Sequence, residues 1–248
     1  MQLKKSIFLG ISSLALIAGA AQAQKAGDTV GYIGGSYIQT NSSISAPNST
    51  GPNAGLFNLI TQGASATVQN SSMVTFSVLQ MFTDNIGAEF AAGYPPALNL
   101  NLTLPNNIGA GTNGTYNSGA TSNAWAPTVY AKYFFNKPED LFRPYVGAGV
   151  NYTWFSNSKV SSNPVPTALG GGGVSLSSSW NPAVTVGAIY NINSNWSLRG
   201  NVDYIPISTN ATFTSGSSYA GIPISGNTTT TKITVNPILM GLSLGYKF

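Results

Sequence analysis

Eight segments with a two-residue alternation of side chains, joined by connections of alternating length, restrict the fold of this chain more than any other feature. The last of them, residues 236–248, places bulky groups on one face and small or polar groups on the other, which is the period of a β-strand. The bulky face consists of Ile238, Met240, Leu242, Leu244, Tyr246 and Phe248. A soluble edge strand can also alternate, but bulky groups outward with terminal aromatics are typical of a strand that faces lipid.

Seven further segments are predicted to be strands. Their bounds are Val30–Thr40, Ser72–Phe82, Ile86–Tyr94, Trp125–Phe135, Arg143–Phe155, Trp180–Ile192 and Trp196–Ile207. The facing of the first stays open because glycines interrupt both of its faces.

The connections between these segments are expected to alternate between long loops and short turns. The long loops are residues 41–69, 99–123, 156–178 and 209–230, and the short turns are 83–85, 136–141 and 193–195. Bacterial membrane barrels have long loops outside and short turns in the periplasm, whereas a soluble sandwich has no need for such sorting. The predicted fold class is therefore all-β, a transmembrane eight-stranded antiparallel β-barrel with long extracellular loops and short periplasmic turns.

The composition supports a chain that lies in lipid. Only 6% of the residues are charged, against about 25% in typical soluble domains, while 42% are hydrophobic and aromatic residues are frequent. No segment after the amino-terminal region reaches the apolar length of a membrane-spanning helix.

The amino-terminal region has the pattern of a secretory signal peptide. Lys4 and Lys5 precede an apolar run over residues 7–17, and Ala21-Gln22-Ala23 provides a cleavage site. We therefore expect a signal peptide over residues 1–23, a barrel domain over 24–248 and export to the outer membrane; an uncleaved helical anchor is the alternative.

Several function classes are disfavoured by the residues present. The chain has no His and no Cys, so triads with His, imidazole metal sites and thiolate metal sites are excluded, and neither a metal nor a cofactor is expected. Glu89 and Asp203 are the one carboxylate pair that could face each other, so an enzyme is not expected. The glycines at 170–173 lack the Lys-Ser/Thr of a phosphate loop, and no basic cluster outside the signal peptide predicts nucleic-acid binding.

Several blocks of the sequence resemble the OmpW type of outer membrane proteins. These blocks are residues 82–89 (FTDNIGAE), 142–153 (FRPYVGAGVNYT), Ser179-Trp180 and the ending at 241–248 (GLSLGYKF), in that order within residues 70–248. The resemblance implies an eight-stranded barrel with a narrow, largely apolar interior that passes small hydrophobic molecules. It also implies that Tyr246 and Phe248 belong to a signal read by the barrel-assembly machinery.

The alternation predicts which side chains face the lumen. Five charged residues are expected inside, where they avoid the cost of contact with lipid: Glu89, Lys132, Arg143, Arg199 and Asp203. They either pair and plug the lumen or line and gate a passage. Trp180 is expected near the outer mouth, as an interface anchor or as a ligand contact.

The predicted function is a narrow, passive channel for small, mainly hydrophobic solutes in the outer membrane. Four apolar residues of the first long loop are expected to admit the solute: Leu56, Phe57, Leu59 and Ile60. The solute would then leave through the lumen or sideways into lipid. The alternative is a plugged structural barrel that displays its loops for surface binding without transport.

Overall fold

A computed structural model describes residues 24–106 and 112–248 and shows a barrel with a folded extension at one end. The predicted signal peptide lies outside these residues. The elements, in chain order, are β1 (Thr29–Gln39), β2 (Ser42–Ile44), β3 (Asn48–Thr50), α1 (Ala54–Thr61), β4 (Ser65–Val68), β5 (Ser71–Met81), β6 (Ile86–Gly93), β7 (Ala97–Leu104), β8 (Gly114–Trp125), β9 (Thr128–Phe134), β10 (Phe142–Val160), α2 (Pro164–Gly170), β11 (Gly173–Leu176), β12 (Ser179–Asn191), β13 (Trp196–Tyr204), β14 (Ile207–Thr214), β15 (Ser218–Tyr219), β16 (Ile222–Pro223), β17 (Thr228–Val235) and β18 (Ile238–Lys247). Within the described ranges, neither helix is long and apolar enough to cross a membrane.

Eight of the strands close on themselves. The order around the ring is β1-β5-β6-β9-β10-β12-β13-β18, and β18 pairs back onto β1. Every pair in the ring is antiparallel. The predicted eight-stranded antiparallel barrel is confirmed, and closure satisfies the backbone groups that lipid could not.

The outer surface of the barrel carries the bulky members of the alternation. On β18, Met240, Leu242 and Leu244 are exposed, and Phe76, Phe90 and Val186 are exposed on other strands. On β1, Tyr32 is buried in the lumen and Ile33 is exposed, which settles the facing that the sequence left open.

Small inward residues make room for two tyrosine rings in the lumen. A Cβ atom added at Gly245 would lie 2.4 Å from the Tyr32 ring, and one at Gly187 would lie 2.6 Å from the Tyr145 hydroxyl. The small face of the alternation is therefore a packing requirement, because each glycine lies directly beneath an aromatic side chain from another strand.

The half of the barrel next to the short turns, called the inner end here, is filled by apolar side chains. These are Val30, Tyr32, Leu79, Met81, Phe134, Tyr145 and Ile189, none more than 4% exposed. Interiors of eight-stranded barrels are just wide enough for side chains to fill. The lumen is thus closed at this level.

The four long connections lie together at one end, as predicted, and they are folded into strands and two short helices, which the sequence analysis did not anticipate. At this end, called the outer end, β11, β14, β17 and β2 form a second sheet, with β3 also paired to β17. On the other side, β4, β7 and β8 continue from the upper part of β10. Runs such as Thr228–Val235 read as polar, yet β-branched threonines suit a pleated strand and pair there with β14.

A layered lumen as the candidate functional site

The outer extension encloses an apolar cavity of about 60 Å³. A second apolar cavity of about 70 Å³ adjoins it, and four residues line both: Leu100, Ala120, Phe213 and Ile233. Because these side chains come from β7, β8, β14 and β17, the cavity exists only once the long connections have folded. Its lining suits an apolar solute.

A roof of two short helices covers this cavity. Phe57 and Ile60 of α1 are buried in one apolar cluster with Val165, Ala168 and Leu169 of α2. Four residues were predicted to admit solute. Phe57 and Ile60 face this cluster, whereas Leu56 and Leu59 are 40% and 48% exposed on the surface of α1. None of these four residues is among those that line the apolar cavity, to which the helices contribute Thr61, Pro166 and Leu169 instead.

Below the apolar cavity, the barrel holds a polar chamber of about 70 Å³. Its polar lining includes Ser36, Thr128, Tyr130, Asn201 and Asp203. An apolar group of Ile38, Ala183, Ile205 and Leu239 lies around its outer rim. Asp203 therefore faces the lumen as the alternation predicts, at the level where apolar lining gives way to polar lining.

The floor of the chamber is a buried ionic cluster centred on Glu89. Lys132 Nζ lies 2.6 Å from Glu89 Oε2, and Arg199 Nη1 lies 2.8 Å from both carboxylate oxygens. Arg199 also donates to the hydroxyls of Ser77 and Ser243, at 3.1 and 3.0 Å. All three charged side chains are at most 7% exposed.

Two aromatic rings extend this cluster toward the inner end. The Arg199 guanidinium lies 3.9 Å from the centroid of the Tyr32 ring, and Lys132 Nζ lies 4.3 Å from that of Tyr145. Both distances are within the range of cation–π attraction. The cations are thus held on one side by a carboxylate and on the other by the faces of the rings that fill the inner end.

Arg143 closes the inner end instead of lining the chamber. Its side chain is fully buried and donates to the backbone oxygens of Gln24 and Asp84. Gln24 is also buried, and its amide nitrogen donates to Asn191 Oδ1 at 3.2 Å. The prediction that Arg143 points inward agrees with the structure, but the residue fastens the segment that precedes β1 across the barrel floor.

Trp180 lies on the outer wall and is 73% exposed, which agrees with the expected interface anchor and places the side chain outside the lumen. Its ring packs 4.7 Å from that of Tyr152, which in turn contacts Trp154, and Trp154 stacks on Trp125. At the inner end, Trp196 packs against Tyr246 in the same way. Aromatic groups at both ends of the outer surface agree with the expected role as interface anchors.

The ladder of hydrogen bonds in the barrel wall is interrupted beside the polar chamber. The β6–β9 ladder ends at the pair Ala91 and Thr128, and pairing of the same two chain segments resumes at Ala97 and Asn123, in β7 and β8. Pro95 and Pro96 lie between these pairs, and neither has an N–H to continue a ladder. Gly93 and Ala126, which face each other beyond the last pair, both line the chamber. We call this interruption the side gap.

Sequence reasoning missed several parts of this site. Tyr32, Tyr145 and Gln24 carried no signal of function in the sequence. The two tyrosines look like ordinary packing residues, and Gln24 lies before the first predicted strand. The side gap did have a signal, since two adjacent prolines end regular pairing.

A closed eight-stranded barrel with a lipid-facing exterior, aromatic groups at both ends and folded long connections at one end defines an outer-membrane β-barrel protein. The family model described as the OmpW family matches residues 39–248, and the chain belongs to that family.

Outer membrane protein W of Vibrio cholerae is 31% identical over 181 residues, covering 73% of this chain and 76% of the relative. Outer membrane protein W of Escherichia coli K12 is 27% identical over 246 residues, covering 99% and 100%. The crystal structure of the outer membrane protein OprG from Pseudomonas aeruginosa has a TM-score of 0.74 at 26% identity, covering 92% of this chain and 98% of that one.

Proposed function

We propose that this outer-membrane protein passively transfers small hydrophobic molecules from the cell surface into the outer membrane. The solute enters the apolar cavity beneath α1 and α2 and leaves through the side gap. It does not continue to the periplasm, and no chemistry is performed on it.

The observation that carries this proposal is the order of layers along the barrel. An apolar cavity beneath α1 and α2 stands above a barrel whose inner half is filled, with Leu79, Phe134 and Ile189 at 0% exposure. A solute that enters from outside therefore meets a closed floor, and the interruption after Ala91 and Thr128 is the break in the wall at that level.

Two further partners follow from the family and the surface. Outer-membrane lipid surrounds the barrel and receives the solute. We also propose that Tyr246 and Phe248, both on the outer surface with their rings 5.4 Å apart, are read by the barrel-assembly machinery during insertion.

The test is transfer of a fluorescent hydrocarbon into the bilayer of liposomes that contain the protein. Ala120→Trp fills the cavity from a position that lines both of its parts, and we expect the protein-dependent rate to fall to that of empty liposomes. Asn210→Trp is the matched control, because Asn210 is exposed on the outside of β14. Equal rates in the wild type and the Ala120→Trp variant would refute the route.

The filled inner half also favours a second candidate, a plugged barrel that presents its outer extension for surface binding without transport. The same experiment separates the two, because a plugged barrel gives the rate of empty liposomes in every variant, the wild type included.

A further inference from the structure

The polar chamber contains two carboxylates, and only one of them forms salt bridges. Glu89 is held by both nearby cations, at 2.6 and 2.8 Å. Asp203 accepts a hydrogen bond from the Asn201 amide at 2.7 Å, and none of the ion pairs found among the described residues includes it. Of the two carboxylates, Asp203 is therefore the one that has no salt bridge.

The cations of the chamber are not available to a ligand. Arg199 is engaged by Glu89, Ser77, Ser243 and the Tyr32 ring, and Lys132 by Glu89 and the Tyr145 ring. An anionic group that entered the chamber would have to displace one of these contacts, whereas a cationic donor would meet an acceptor with spare lone pairs.

The surroundings of Asp203 also favour a cation attached to an apolar body. Met73, Ala91, Ile205 and Leu239 line the same chamber, so the carbon atoms next to the charged group would have apolar contacts. A buried carboxylate without a counter-charge is costly, and a positively charged hydrogen-bond donor offsets that cost directly.

Asp203 lies on the path that the proposed function requires. It lines the chamber together with Gly93 and Ala126, the residues of the side gap. A solute that leaves sideways at this level passes the carboxylate before it reaches lipid.

We propose that the polar chamber is a selectivity site for small apolar molecules that carry a primary amine, and that Asp203 binds the ammonium group. This inference rests on the proposed function, because it names the class of solute that the same route favours. Hydrocarbons without a charged group pass with little discrimination, and apolar carboxylates are disfavoured.

Three fluorescent probes with one ring system test the proposal: 1-naphthylmethylamine, 1-naphthoate and 1-methylnaphthalene. Binding is measured with the full chain in detergent, and transfer with the same protein in liposomes. We expect the wild type to bind the amine about tenfold more tightly than the carboxylate, the size of one charge-assisted hydrogen bond. Asp203→Asn should remove most of that preference and leave methylnaphthalene binding within about twofold.

Asp203→Glu and Glu139→Gln are the comparison variants. The first keeps the carboxylate and should retain a preference for the amine, and the second changes an exposed acidic residue of a short turn and should change nothing. If Asp203→Asn does not fold, the wild-type comparison of amine with carboxylate decides by itself.

The outcomes separate the inference from the function on which it rests. Equal binding of amine and carboxylate by the wild type, or the same amine preference in Asp203→Asn, would overturn the role of Asp203. Failure of methylnaphthalene to transfer, with the amine preference intact in binding, would instead refute the route and leave the site.

Discussion

Removal of the Glu89 carboxylate should destabilise the barrel strongly and in a way that depends on Lys132. Glu89→Gln keeps the shape of the side chain but leaves two cations, each at most 7% exposed, without their shared counter-charge. Two unit charges at about 4 Å attract by about 4 kcal/mol at an effective dielectric constant of about 20. Breaking a buried pair from one side typically costs about 3–5 kcal/mol, and we expect a loss of that size in the free energy of unfolding.

The second variant tests the reason for the loss. Lys132→Met removes one of the two cations and keeps a side chain of similar length, so Glu89→Gln/Lys132→Met should be more stable than Glu89→Gln alone. We expect a coupling energy of at least about 2 kcal/mol, because residues in one ionic cluster do not behave additively. Arg199 keeps its two serine acceptors in every variant, at 3.0 and 3.1 Å.

Urea unfolding in phospholipid vesicles, followed by tryptophan fluorescence, measures these free energies. Glu139→Gln, in an exposed short turn, is the matched control and should change the free energy of unfolding by no more than about 0.5 kcal/mol. Additive effects of Glu89→Gln and Lys132→Met, within about 0.5 kcal/mol, would show that the two side chains are not energetically coupled and would refute the reasoning.

Two other substitutions test the surface and the packing of the barrel, with the same unfolding measurement. Leu242→Arg places a cation on the lipid face of β18, where Leu242 is 61% exposed. A cation on this face near the middle of the bilayer should lower the free energy of unfolding by about 2–4 kcal/mol. An unchanged free energy of unfolding would mean that this face is not in lipid. Gly245→Ala adds a methyl group 2.4 Å from the Tyr32 ring and should lower the free energy of unfolding by about 1–3 kcal/mol. Adding Tyr32→Leu to the same chain should recover part of that free energy.

The membrane-spanning strands could be predicted from sequence because lipid enforces a strict rule. A side chain that faces hydrocarbon must be apolar, so residues such as Val184, Val186 and Leu244 appear at every second position. The predicted bounds of β5 and β6 differ from the observed ones by a single residue at each displaced end. The inward position of Glu89 and Asp203 followed from the same rule.

The strands of the outer extension could not be predicted in this way. They face water on one side and the cavity on the other, so the rule for side chains that face hydrocarbon does not apply to them. On β17, threonines occur on both faces: Thr229 and Thr231 line the cavity with Ile233, while Thr230 and Lys232 are exposed. Such runs match the composition of loops. For Trp180 the sequence left two roles open: the alternation of β12 places it outward, as an interface anchor requires, while its position near a strand end also suggested a ligand contact.

The closed inner half makes a sideways exit the less costly route for an apolar solute. Passage straight through would require the Glu89 cluster to open, at a cost of about 3–5 kcal/mol, or a factor of about 150 to about 4,500 in population. It would also displace fully buried groups such as Phe134 and Ile189 and carry the solute past the charges of Lys132 and Arg199. Lipid beyond the side gap accepts the same solute without loss of apolar contact. The proposed route therefore assigns the charged floor the role of a barrier that directs apolar molecules sideways, and it predicts that the protein transfers hydrocarbon into a bilayer while it conducts almost no ions across it.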